Sequence, residues 1–290
     1  MSDEQRATAA FFGMSVLAGG NAVAIRFSNR ELDPLWGAGL RFALAAALLA
    51  AVVVILRLRL PRGAALAGAL LYGTLGIGGA FALAYYGLVH IHAGLGQTLL
   101  AIVPLATLFL AVLQRQERLR LAALVGGVLA LAGIAVMSQA TLDEDVPALS
   151  LAAVLAAAFC FAEAAILVRR FPPVNPVVMN AVGMATGALL LLGGALLAGE
   201  AFELPRRGET WFAIGYLVPV GSVLVFVLYL VVLRYWEASR AAYEFVLIPV
   251  FTLALSIWLD DEPLTLGLLL GGPLVVLGVY IGALRRAAST

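Results

Sequence analysis

Four residues place ionisable or strongly polar groups inside stretches that are otherwise apolar: Asn21, Arg41, Glu163 and Glu244. A charge at the centre of a bilayer costs about 2.5–3.5 kcal/mol on insertion scales, so each needs a physical reason to be there. Arg41 falls ~10 Å into its stretch at 1.5 Å per residue, and Asn21 lies ~9 Å from the end of the stretch before it. The two therefore reach similar depth on adjacent segments, where a guanidinium oriented by the amide would hold the carboxylate of a bound solute. The other reading is an arginine that snorkels to headgroups or ties helices together. Glu163, ~7 Å from its end, would take up a proton or meet an amino group, or would itself snorkel. Glu244 is the second candidate for proton coupling, although Arg240 one turn earlier offers it an i,i+4 ion pair. Tyr85, Thr98 and Tyr243 add polar tips and complete the set expected to contact a small solute. Pro104 and Pro249 lie mid-stretch, where each removes a backbone hydrogen bond and bends its helix. The freed carbonyl needs a partner in protein or in a wet cavity, so this pair is expected to act as hinges. Glu117 and Glu262 stand at stretch boundaries and are expected to cap the helices that follow. His90 and His92 are read as interfacial, and no metal or other cofactor is expected.

The elements that carry these residues follow from composition. Of 290 residues, 63% are hydrophobic and 12% charged, with a mean hydropathy of +1.04. A soluble domain is roughly 45–50% apolar and 25% charged, and it cannot bury this much apolar surface. A disordered chain would be polar and charge-rich. What remains is an all-α membrane protein. Ten stretches are long enough to span: 7–27, 34–56, 64–88, 92–113, 120–138, 149–168, 176–198, 211–233, 238–259 and 265–284. The longest polar intervals, around 139–148 and 199–210, are too short for a soluble domain, which excludes nucleotide-binding cassettes and receptor ectodomains. The first stretch lacks a basic leader and is expected to be a retained span. A net charge of +1 gives no reason to bind nucleic acid, and the lone Cys160 forms no intrachain disulfide.

All 18 basic residues are arginines. An N-terminus in the cytoplasm puts Arg6, Arg57, Arg59 and Arg62, Arg115, Arg118 and Arg120, Arg169 and Arg170, Arg234 and Arg240, and Arg285 and Arg286 on the inside, with Arg41 within a span. Only Arg26, Arg30, Arg206 and Arg207 are left outside, beside the acidic runs 143–145 and 260–262. Both termini are therefore expected to be cytoplasmic.

Residues 93–136 align without gaps on 238–281, at an offset of 145. The informative identities are Pro104/Pro249, Glu117/Glu262, Gly126/Gly271, Gly127/Gly272 and Gly133/Gly278, and Gly76/Gly221 and Phe81/Phe226 keep the same offset upstream. Further upstream the offset becomes 142, pairing Pro34 with Pro176 and placing Glu163 and Gly183 where Asn21 and Arg41 stand. The unit is five helices, and an odd number forces the second copy to enter the membrane upside down. The expected fold is ten transmembrane helices as two inverted five-helix repeats, 7–138 and 149–284. Inverted repeats give a fold two related ways to pack, which is the architecture of secondary transporters. Intramembrane enzyme chemistry finds no support: no G-x-S-x-G occurs and no aspartate lies inside a span. A non-transporting scaffold would have no reason to bury Asn21, Arg41, Glu163 and Glu244.

Gly20-Asn21-Ala22-Val23-Ala24-Ile25-Arg26, Pro34 through Phe42, Phe81 through Leu88, Pro104, Glu117-Arg118-Leu119 and Gly126 to Gly133 resemble, in order and spacing, the EamA branch of the drug/metabolite transporter superfamily. Phe226, Pro249, Glu262-Pro263-Leu264, Gly271 and Gly278 repeat the late part of that pattern. The chain is most similar to bacterial amino-acid exporters, notably those of aromatic amino acids. The resemblance implies a multi-pass exporter of small metabolites in the bacterial inner membrane, with a central cavity between its halves and the monomer as the working unit. The residues point the same way on substrate. Few polar groups against a mostly apolar lining suit a solute with one polar end and an apolar body. Sugars would leave hydroxyls unpaired at ~1–3 kcal/mol each. A neutral amino acid fits best, and purines or other small drugs and metabolites come next.

Overall fold

The computed structural model describes residues 2–88, 93–138, 147–259 and 266–284, and among these the chain forms ten helical rods and no strand. They are α1 (Asp3–Ser28), α2 (Pro34–Ile55), α3 (Ala64–Leu88), α4 in two pieces (α4a, Ala93–Leu100; α4b, Val103–Leu113), α5 (Leu121–Ser138), α6 (Ala148–Arg170), α7 (Pro176–Ala198), α8 (Gly208–Tyr235), α9 in two pieces (α9a, Ala238–Ala241; α9b, Glu244–Leu259) and α10 (Leu266–Val279), which runs on as a π-turn over Tyr280–Leu284. Six rods are each long and apolar enough to cross a bilayer unbroken. Their outward faces carry side chains such as Leu197, 90% exposed, and Phe212, 81% exposed, which water would not tolerate in such numbers but lipid does.

Local chemistry sets the ends. Ser2 and Gln5 form a reciprocal capping box at the start of α1. Pro34 and Pro176 open α2 and α7 at the first turn, where no N–H is needed, and so occupy equivalent places in the two repeats. Glu200 seats its carboxylate on the N-terminus of α2, accepting the N–H groups of Leu35 at 3.2 Å and Trp36 at 2.6 Å. Nearby, Glu31 accepts the Arg206 N–H at 2.7 Å, and the Thr210 hydroxyl, ahead of the Arg206 and Arg207 N–H groups, holds its carboxyl below the usual range.

The third helix of each repeat departs from α geometry at the same place. Residues Gly73–Gly79 of α3 and Leu217–Leu224 of α8 are π-helical, and the offset of 145 lays one segment on the other. A π-turn widens the helix and misaligns carbonyls with their usual donors. In α8 Pro219 contributes by lacking an N–H. These helices also interlock the halves: α3 packs on α6 and α7 of the second repeat, and α8 packs on α1 and α2 of the first. The fifth helices meet directly, α5 along α10. A Cβ at Gly126 would lie 2.6 Å from the Gly278 carbonyl, and one at Gly133 2.8 Å from that of Gly271. The reciprocal additions are as tight, at 2.6 Å from Gly278 to the Gly126 carbonyl and 2.4 Å from Gly271 to that of Gly133. Close backbone approach at paired small residues is how helices without water between them gain contact.

Three expectations need correction. The breaks at the two prolines are not equivalent. Helix α4 is interrupted at Ala101–Ile102, just before Pro104, whereas Pro249 lies inside a continuous α9b and the break comes a turn earlier relative to it, at Ala242–Tyr243. The reason lies in the second correction. Glu117 does not cap the helix that follows it but the start of α9a in the other repeat. It accepts the Ser239 N–H at 3.1 Å and the Ser239 hydroxyl, which fixes that short turn apart from α9b. Glu262 lies outside the described residues, as do His90, His92 and the acidic runs at 143–145 and 260–262. Third, Arg240 does not neutralise Glu244. It reaches back to Glu4 at 2.5 Å, donates to the Ala283 carbonyl and stacks 3.6 Å from the centroid of Trp236. Arg120–Glu237 at 2.6 Å joins Arg240–Glu4 in tying the two repeats together at the arginine-rich end, and Arg169, donating to the Leu233 and Trp236 carbonyls, ties α6 to the end of α8 within the second.

Candidate functional site

The π-helical segment of α8 is where the polar residues of the first repeat converge. Its Gly221 carbonyl accepts from Asn21 Nδ2 at 3.1 Å and from Arg41 Nη2 at 2.9 Å, and Arg41 Nε donates to the Ser222 hydroxyl at 2.7 Å. Asn21 thus orients Arg41 through a shared backbone oxygen rather than by direct contact. A Cβ at position 221 would fall 2.0 Å from Asn21 Oδ1, so a larger residue there would displace the Asn21 amide. Arg41 is 3% exposed and turns inward to α8, which removes the snorkelling alternative. Three facts make it a candidate binding group. Its Nη1 is buried without a hydrogen-bond partner, the Oδ1 of Asn21, which shares the Gly221 carbonyl with it, is likewise unpartnered, and Tyr85 and Tyr216 lie in electrostatic range. Tyr216 is held in place by its hydroxyl, which donates to the Leu17 carbonyl at 2.7 Å. A buried donor left unpaired costs ~1–3 kcal/mol, and an acceptor brought by a ligand would recover it.

An aromatic row runs from this group toward the middle of the bundle. The Arg41 guanidinium lies 5.0 Å from the centroid of Phe42. Phe42 meets Phe81 at 4.9 Å and Phe226 at 5.9 Å, Phe81 meets Phe161 at 5.5 Å, and Phe161 meets Phe245 at 5.0 Å. Phe81 and Phe226 are the same residue of the two repeats, and their rings lie 6.5 Å apart. Phe81, Phe161, Phe226 and Phe245 are only partly buried. Rings of this kind offer a flat apolar wall and edge-to-face contacts.

The other expected site residues scatter. Tyr85 joins the row, packing 6.4 Å from Phe81. Thr98 lies on α4a, half-buried and partnered. Glu163 is away from Arg41, near the arginine-rich end, where Gln114 Nε2 donates to it at 2.6 Å. Beside that contact an open cavity of about 450 Å³ is lined by Gln114, Gln116, Arg169 and Arg170. Tyr243 does not face the aromatic row. Its hydroxyl donates to the Ala123 carbonyl at 2.6 Å and wedges against Gly127 and Gly282, which makes it a packing residue of α5 and α10. Sequence reasoning passed over Ser222, Tyr216 and the phenylalanines. The one available signal was the register of Gly76/Gly221 and Phe81/Phe226, which both copies of the repeat keep.

Comparison with known proteins agrees with this architecture. The model of the EamA-like transporter family matches twice, over residues 6–139 and 148–283. An uncharacterized transporter of Archaeoglobus fulgidus is 30% identical over 287 residues, covering 96% of this chain and 97% of that protein. Two relatives bear the name "Probable amino-acid metabolite efflux pump": one from Escherichia coli K12, 28% identical with 92% and 91% coverage, and one from Salmonella typhimurium LT2, 29% identical with 94% of each chain covered. A solved structure described only as the crystal structure of a protein has the same fold, with a TM-score of 0.79 over 96% of both chains at 21% identity. With both five-helix halves matched, the chain belongs to the EamA-like transporter family.

Proposed function

We propose that the protein is a secondary transporter of the bacterial inner membrane, working as a monomer, that exports small metabolites by alternating access. Neutral amino acids with apolar or aromatic side chains are its solutes. The observation that carries this reading is the unpartnered, buried Nη1 of Arg41 at the head of the phenylalanine row. A solute carboxylate would satisfy Nη1 with a charge-assisted hydrogen bond, the unpartnered Asn21 Oδ1 would accept from the neighbouring ammonium, and the side chain would lie along the rings. The names of the two efflux-pump relatives support the class and the direction. Pro104, next to the break in α4, and Pro249 in α9b are the hinges about which each repeat changes packing.

The test is counterflow in proteoliposomes preloaded with unlabelled solute, using labelled phenylalanine, tryptophan, methionine and threonine. Phenylalanine is expected to exchange best. Flat heterocycles would stack on the same rings, so adenosine is run alongside. Failure of all four amino acids while adenosine or a sugar exchanges would overturn the assignment. The arginine-rich end faces the cytoplasm in this reading. A reporter fused after Thr290 should be active inside, and activity confined to the outer compartment would invert the topology.

A further inference from the structure

A second polar cluster exists that the Arg41 site does not use. Glu244 opens α9b directly after the break at Ala242–Tyr243 and is 6% exposed. Its Oε2 has no hydrogen-bond partner, and its carboxylate enters no ion pair, since Arg240 is committed to Glu4 and Arg120 to Glu237. The titratable groups facing it are Tyr72 from α3 and Tyr229 from α8. The helices packed along α9b, namely α1, α4a, α5 and α10, bring no charged group into electrostatic range among the described residues. Tyr72 donates to Asn180 Oδ1 on α7 at 3.1 Å, and Asn180, fully buried, has no partner for its Nδ2. Glu244 thus has two phenols in electrostatic range and, through Tyr72, an amide beyond them, with an unpartnered acceptor on Glu244, an unpartnered donor on Asn180 and no cation among the described residues.

The missing cation is not the ammonium of a solute held at Arg41. In an amino acid the ammonium and carboxylate sit on one carbon, whereas Phe42, the neighbour of Arg41, and Phe245, the neighbour of Glu244, are separated by two further rings. The rings of Phe42, Phe81, Phe161 and Phe245 stand in succession between their helices. A buried carboxylate without a counter-charge is strongly penalised, and a proton is the smallest cation that removes the penalty. Isolated intramembrane acids of this kind are the usual proton carriers of transporters.

We propose that Glu244 is the proton site that couples solute export to inward proton flow, with Tyr72 and Asn180 as positioning residues. This rests on the transport reading above. The Glu244 Oε2–H bond forms when the opposite end of the bundle is open. It breaks when the Glu117–Ser239 and Arg120–Glu237 contacts part and water from the arginine-rich side reaches the carboxyl. One proton then moves inward for each solute moved outward, and no other co-reactant is needed.

The experiment measures two quantities on the same proteoliposomes: phenylalanine counterflow without gradients, and phenylalanine accumulation driven by an imposed pH gradient. The wild type should show both, with the gradient raising accumulation several-fold. Glu244→Gln should retain measurable counterflow while its gradient-driven accumulation falls to the level without a gradient. Glu244→Asp keeps an acid and should retain the drive with its pH midpoint displaced, and Tyr72→Phe should displace the midpoint without abolishing the drive. If Glu244→Gln loses counterflow as well, restoration of both activities by Glu244→Asp establishes the need for an acid at this position. Drive that survives Glu244→Gln, or that Glu244→Asp fails to restore at every pH, overturns the proton site. Absence of counterflow in the wild type for the whole solute panel instead overturns the transport reading.

Discussion

Arg41→Ala is expected to lower phenylalanine counterflow by about 10–150-fold. That range is the ~1.5–3 kcal/mol of a charge-assisted hydrogen bond, converted at 1.4 kcal/mol per tenfold. The loss has two sources. The substitution removes the only buried cation beside the phenylalanine row among the described residues, and it strips the Ser222 hydroxyl and the Gly221 carbonyl of their guanidinium donors. Arg41→Lys separates these effects. A lysine keeps the charge but not the planar fork that reaches Ser222, Gly221 and a solute together. It should recover part of the affinity, with the larger defect in apparent KM. Asn21→Ala should also act on KM, more weakly, because it frees one of two donors on the Gly221 carbonyl and removes the free Oδ1. Undiminished counterflow in Arg41→Ala would leave the transporter assignment intact and end the carboxylate role of Arg41.

Gly278→Leu is expected to leave little folded protein. A Cβ there meets the Gly126 carbonyl at 2.6 Å and the Ala130 N at 2.7 Å, and both are backbone atoms that cannot rotate away. Helix α10 must then move off α5 along the whole crossing, because Gly133 and Gly271 make the same kind of contact one heptad away. Overpacking a rigid contact costs ~1–3 kcal/mol or more, a large part of the ~5–15 kcal/mol by which proteins are stable. Detergent-solubilised Gly278→Leu should lose its monodisperse size-exclusion peak or melt well below the wild type. Gly193→Leu on α7 is the control, since nothing lies within 4 Å of a Cβ at that position. Equal behaviour of the two variants would show that the α5–α10 crossing is not tight.

The ten rods were legible because a span is a property of composition over about twenty residues, and the inversion because a unit of five helices repeated in tandem must enter the membrane upside down. The depth arithmetic brought Asn21 and Arg41 to the same level, and they do converge. Hidden from sequence was what they converge on. A backbone carbonyl has no sequence signature, and a π-turn differs from an α-turn only in register, so Gly221 read as one more small residue. Ion-pair reasoning by proximity along the chain failed at Arg240, whose partners Glu4 and Ala283 come from distant helices. It failed in the same way at Glu117, which serves Ser239 rather than its own neighbour. In both cases the competing partner belongs to another part of an interlocked bundle, and spacing along one helix carries no information about it.

The interlock also sets a schedule for synthesis. Arg41 leaves the ribosome 180 residues before the Gly221 carbonyl that accepts from it. At ~5–20 residues per second, that interval lasts roughly 9–36 s. Throughout it, α2 stands in the membrane with an unanswered guanidinium, and α1 with an unanswered Asn21 amide. Nascent α2 must wait against the insertion machinery, or ride shallow with Arg41 drawn toward the surface, and sink to its final depth only once α8 arrives. Truncated nascent chains should therefore show α2 settling late, at the length that releases residue 222.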